Sequence, residues 1–263
     1  MNTRGNRITL TLVLVGLLSI ASVIGRPAYA YDGAQFCKTD KPTLALFIDV
    51  TTSFDDKSKA TLSEGIEKFS SILQGGERIV LMTIEDSFSE SAKLFDGCVP
   101  ICESSGWVDW LFGNCTSGLL RLKRKEMNAA IRTGLVSRLA NSTDLPRSDI
   151  IRTISENARI IFSDKKVGTL FIFSDMIENS ELITGKEFWS VPNDELLDRI
   201  NRVELIPALT GVSVKSFGLG RGGDNDRTPL DQDMLQKVRQ FWTRYFELAG
   251  VKQEELLLTP TLP

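Results

Sequence analysis

Three short runs of the chain are nearly apolar throughout: "LALFID" at 44–49, "RIVLMTIED" at 78–86 and "VGTLFIFS" at 167–174. A strand with one face in water alternates apolar and polar residues. A run that does not alternate must be covered on both faces, the usual situation of strands in a parallel sheet. Helical spacing fills the intervals. Leu62, Ile66, Phe69 and Leu73 predict a helix over about 56–74. Leu120, Met127, Ile131, Leu135 and Leu139 predict a second, starting at about 119, and Ile150 or Ile151, Ile154, Ala158 and Ile161 a third. A weaker edge strand is expected at 91–96, a further strand at 212–218, and a short helix at 193–201 within an otherwise irregular 180–205. The last helix carries the stripe Met234, Val238, Phe241, Tyr245 and Leu248, with Thr228 as its expected N-cap, Pro229 in its first turn and Gly250 as its stop. Strands alternating with helices predict an open, mostly parallel, doubly wound α/β sheet with helices on both faces.

The first thirty residues stand apart from this pattern. Arg4 and Arg7 precede an uncharged stretch at 8–24, and "RPAYA" follows, with Ala28 and Ala30 at the small positions of an A-x-A cleavage site. We expect a secretory signal peptide at 1–30, cut after Ala30, and a single domain over 31–263; an uncleaved anchor is the rival reading. Removing residues 1–30 takes away three arginines and no acid, moving the net charge from −3 to −6. That balance gives no electrostatic reason to expect nucleic acid as a partner. Contact with a membrane is expected only through the signal segment, if it is uncleaved.

All four cysteines, Cys37, Cys98, Cys102 and Cys115, lie beyond the signal segment. Export favours disulfides, and the C-x3-C-x12-C spacing, with no histidine in the chain, does not resemble paired zinc knuckles. Four cysteines allow three pairings, among which sequence does not choose. Cys37–Cys98 with Cys102–Cys115 is the working expectation. Three of the four fence a stretch without clear period, read as a stapled insertion at about 97–118.

The first strand ends on Asp49 and runs into "VTTSFDD"; the strand at 167–174 ends on Asp175. In an open α/β sheet, sites form outside the carboxyl ends of the strands. Thr51 and Ser53 are spaced two apart, so an extended segment projects both to the side of Asp49. Thr143 sits in the "NSTD" loop between the two strands. Two carboxylates and three hydroxyls, with no nitrogen or sulfur, suit a hard cation such as Mg²⁺ or Mn²⁺. Asp49 is expected at the surface end of its strand. The competing reading makes Asp49 and Ser53 caps of the first helix and Asp175 a cap of the next.

These residues resemble a known family. "DVTTS" is similar to the Asp-x-Ser-x-Ser motif of von Willebrand factor type A (vWA) domains, the metal-ion-dependent adhesion site. "NSTDLPRSDIIRTI" resembles that family's threonine loop and following helix, and "LFIFSD" its central strand and third-loop aspartate. The resemblance covers about 42–250. It implies a vWA/Rossmann-like fold, metal ligands at Asp49, Thr51, Ser53, Thr143 and Asp175, and a protein partner that completes the site with a carboxylate. Thr51 stands where serine is usual. Met176 stands where glycine is common, which is expected to alter the backbone of that loop.

The alternative is an enzyme: a metal-dependent phosphohydrolase or nuclease using the same acidic cluster. Against it, Thr51 stands where a haloacid dehalogenase-like site needs a second aspartate, hydroxyls outnumber acids, and no G-x-S-x-G motif or P-loop occurs. "GLGRGGDND" at 218–226 reads as a turn. A third possibility places binding in the insertion, around Trp107, Trp110 and Phe112.

Overall fold

The computed structural model describes residues 31–51, 62, 65, 66, 69, 73–102, 116–140, 144–163, 167–220 and 230–260. The expected signal segment, Ser53, Thr143, Cys115, the insertion's three aromatic residues and Thr228 lie outside them. The sheet has six strands: β1 (Thr43–Asp49), β2 (Arg78–Ile84), β3 (Lys93–Cys98), β4 (Gly168–Phe173), β5 (Val212–Phe217) and β6 (Leu256–Thr259). Their order is β3-β2-β1-β4-β5-β6, and every pairing is parallel except β2 with β3. This is the expected mostly parallel α/β sheet.

The central strand shows why both faces must be apolar. Ala45 and Phe47 point into one core, with the helices α2 (Ile150–Ile161), α4 (Asn193–Arg202) and α5 (Gln232–Leu248). Leu44, Leu46 and Ile48 point into the other, with α1 (Ser117–Ala140) and the helical residues Leu62 and Ile66. Successive side chains of a strand alternate sides, so each core receives every second residue. No helix among the described residues is long and apolar enough to cross a membrane.

Several boundaries differ from the sequence reading. The edge strand β3 lies at 93–98 rather than 91–96, because Cys98 pairs in register with Arg78 and is bonded to Cys37. Cys102 is disulfide-bonded as well, and no cysteine among the described residues is free; its expected partner lies outside them. The last helix is capped by Asp231, whose carboxylate accepts from the Met234 N–H at 2.8 Å, and not by Thr228. Within 180–205 a further helix, α3 (Gly185–Ser190), opens on a capping box of Thr184 and Glu187. β6 has no counterpart in the sequence reading, which stops at Gly250; it extends the sheet beside β5.

Candidate functional site

β1 and β4 are neighbours, and the chain leaves them in opposite directions along the sheet, toward β2 and toward β5. The crevice at their carboxyl ends is therefore the topological switch point, where open α/β sheets place ligands. Asp49 ends β1 there, and Asp175 follows β4 by two residues.

Asp49 is not at the surface. It is 5% exposed, and its carboxylate is the hub of the crevice. Oδ1 accepts from the Thr51 N–H at 3.0 Å and the Thr51 hydroxyl at 2.6 Å. Oδ2 accepts from Ser174 at 2.7 Å and Ser148 at 3.1 Å. Burial pushes the Asp49 carboxyl upward from the ordinary range, against the pull of these hydrogen bonds. Thr51 is buried, and its carbonyl accepts from the Leu145 N–H at 2.7 Å, which ties the loop before α2 to the loop after β1.

Asp175 is partly buried, and its Oδ1 accepts from the Ile177 N–H at 2.9 Å. Its carboxyl is pushed up to about 8, first by burial and then by the negative Asp49 nearby. Asp175 caps no helix, since α3 is capped by Thr184; the capping alternative therefore fails at this residue. Of the five expected site residues, the structure brings Asp49, Thr51 and Asp175 to one crevice, and Ser53 and Thr143 lie outside the described residues.

Ser148 and Ser174 were missed. Each sits directly before an aspartate in sequence, as hydroxyls in many turns do, and only the fold aims both at Asp49.

Met176 takes φ +62°, the left-handed region that favours glycine. Its N–H donates to the Ser174 hydroxyl at 2.8 Å, and its carbonyl accepts from the Trp242 indole at 2.6 Å. The left-handed backbone costs about 1 kcal/mol in a non-glycine residue. The fully buried side chain offsets this by filling the core against α5. Met176→Gly is expected to lower stability by about 2 kcal/mol, the lost burial exceeding the relieved strain. Urea denaturation measures it, and a stabilised variant would show that strain dominates.

The donor set fits a hard divalent cation. It is all oxygen, and two carboxylates stand close enough that one raises the proton affinity of the other, a repulsion that a bound cation would relieve.

No known family profile and no curated protein matches the sequence. Solved structures are similar in shape. The pilus adhesin SpaC from Lactobacillus rhamnosus GG, in its open conformation, has a TM-score of 0.42 at 11% identity over 86% of this chain and 28% of that one. A von Willebrand factor type A protein from Catenulispora acidiphila has 0.40 at 10% identity over 80% and 42%. The ArnB paralog VWA2 from Sulfolobus acidocaldarius has 0.35 at 10% identity over 70% and 36%. The chain thus spans less than half the length of each. At such scores and identities, function has to be argued from the site itself.

Proposed function

We propose that this chain is an exported vWA-like binding module that engages a protein partner through a divalent cation, Mg²⁺ or Mn²⁺. Asp49, Thr51, Ser53, Thr143 and Asp175 would hold the ion. One observation carries the reading: Asp49, with its hydroxyl partners, and Asp175 meet at the switch point between β1 and β4. A cation held by two carboxylates and neutral hydroxyls keeps the capacity to accept an outside anion, and a partner's Asp or Glu supplies one. The protein's part is to position oxygens and keep the Asp49 carboxylate shielded from water. The disulfide-bonded Cys37, Cys98 and Cys102 support an oxidising, extracytoplasmic location.

Calorimetric titration of the purified protein with Mn²⁺ tests the proposal. One ion per chain is expected, bound more tightly when a glutamate-containing peptide is added as a carboxylate probe. A heat of binding that is absent, or indifferent to the peptide, would defeat it. Cleavage of a phosphodiester with Mn²⁺, lost in Asp49→Asn, would establish the hydrolase instead.

A further inference from the structure

Glu178 lies three residues beyond Asp175 and is fully buried. Its Oε2 accepts from the Ile150 and Ile151 N–H groups, both at 3.0 Å, where α2 begins. Its buried Oε1 has no hydrogen bond of normal geometry, and the Ser180 side chain nearby only partly eases the charge of the carboxylate. Burying a carboxyl group with one oxygen poorly paired costs free energy, and burial pushes this group up to about 8. A helix start does not require that cost. The residue at the N-cap of α2 is Asp149, a side chain suited to cap it locally. Asp149 makes no cap and instead accepts from the Phe88 N–H at 3.1 Å. The start of α2 is thus handed to a residue 27 and 28 positions away, on the loop that carries Asp175.

The neighbouring contacts have the same sense. Asn179 and Ser148 form an isolated antiparallel bridge, with N–H to O distances of 2.9 and 3.1 Å. The Asn179 amide also donates to the Pro146 carbonyl at 2.7 Å. Residues 178 and 179 therefore grip the chain from 146 to 151 at both ends. The gripped segment is the one that reaches β1, through Leu145 N–H to the Thr51 carbonyl and the Ser148 hydroxyl to Asp49. In sequence it begins directly after Thr143.

We propose that Glu178 is a positioning residue that clamps the 144–151 segment to the Asp175 loop, so that the oxygens from three separate loops keep one mutual arrangement. Its consequence for cation binding rests on the reading under Proposed function; the clamp itself does not.

The test uses the full chain and two readouts. In Glu178→Ala, amide exchange at Leu145, Ser148, Ile150 and Ile151 is expected to accelerate about tenfold while β1 and β2 stay protected. Mn²⁺ affinity is expected to fall about tenfold in the same variant, by analogy with lost support of metal ligands. Glu178→Gln keeps an oxygen for the two N–H groups and is expected to restore both to within about threefold. Should the alanine variant not fold, Glu178→Asp, which draws the oxygens back by one bond, is expected to loosen the same amides. Acceleration confined to Ile150 and Ile151 would make Glu178 a helix cap only and overturn the proposal. So would unchanged Mn²⁺ affinity in a variant whose loop amides have lost protection. A wild-type chain that binds no Mn²⁺ defeats the cation reading alone, and the exchange pattern still decides the clamp.

Discussion

Asp49→Asn and Asp175→Asn are each expected to lower Mn²⁺ affinity by about a hundredfold or more while leaving the chain folded, because each removes one of two charges that hold the ion. Asparagine is the informative replacement. Alanine at position 49 would strand the Thr51 N–H and the hydroxyls of Thr51, Ser148 and Ser174, all of which donate to the buried carboxylate. Its cost would then mix folding with binding. Asparagine keeps the shape and an oxygen. Since burial already opposes the charge on Asp49, the cation-free protein loses little when that charge goes.

The pH dependence follows from Asp175. Its carboxyl holds a proton up to about 8 in the folded protein, against 3.8 ordinarily. The folded state therefore binds that proton more tightly than the unfolded chain does. The stability contributed by protonated Asp175 is present at low pH and is lost as the pH rises from about 4 to about 8. Cation binding must displace the same proton, so Mn²⁺ affinity is expected to climb with pH, by up to about tenfold per unit, and to level off near 8. Asp175→Asn should make the stability profile of the free protein less steep between those limits, by one proton's share, with the share of Glu178 remaining. Titrations at a series of pH values, with thermal melts run alongside, read both effects. A wild-type affinity independent of pH over this range would remove Asp175 from the site.

The sheet was legible because burial on both faces writes itself into composition: "LALFID" cannot alternate when Ala45 and Phe47 enter one core and Leu44, Leu46 and Ile48 the other. The aspartates at the strand ends were legible for the converse reason, as charges placed where an apolar run stops. β6 was not. Its four residues pair only with β5, and "LLLT" after a helix reads equally as a tail, since strand formation there depends on the neighbour. α3 could have been found, because Thr184 and Glu187 carry the capping-box spacing. The start of α5 is decided by packing: the Leu230 N–H bonds to the Gly220 carbonyl, which leaves Asp231 to cap. Ser148 and Ser174 were illegible in principle. A serine beside an acid is common in turns, and nothing local says that two of them, 26 residues apart, share one carboxylate oxygen.

The largest loss of stability is expected from the double variant Cys37→Ser/Cys98→Ser. The bond joins residues separated by 61 positions, and closing a loop of that length in the unfolded chain is worth about 4 kcal/mol. β3 is an edge strand paired only with β2, and it is the one antiparallel strand of the sheet. The segment before β1 is tied across this edge by the Lys38 N–H to the Gly76 carbonyl, by the Tyr31 hydroxyl to the Cys98 carbonyl at 2.6 Å, and by stacking of Tyr31 on Phe95. Without the sulfur bridge, noncovalent contacts of this kind must hold strand and strap together. Urea denaturation should show the loss of about 4 kcal/mol, and the melting temperature should fall by about 10 °C. Amides of β3 should exchange first, because the freed edge opens before the central strands. Arg78, the register partner of Cys98, opens β2 at the end of the sheet opposite the Asp49 crevice, about 20 Å away along a seven-residue strand. Mn²⁺ titration of the variant should therefore match that of the wild type at temperatures where both are folded. A variant within about 1 kcal/mol of the wild type would mean that the edge is held by its packing, and that the bridge constrains the unfolded chain far less than its loop length implies.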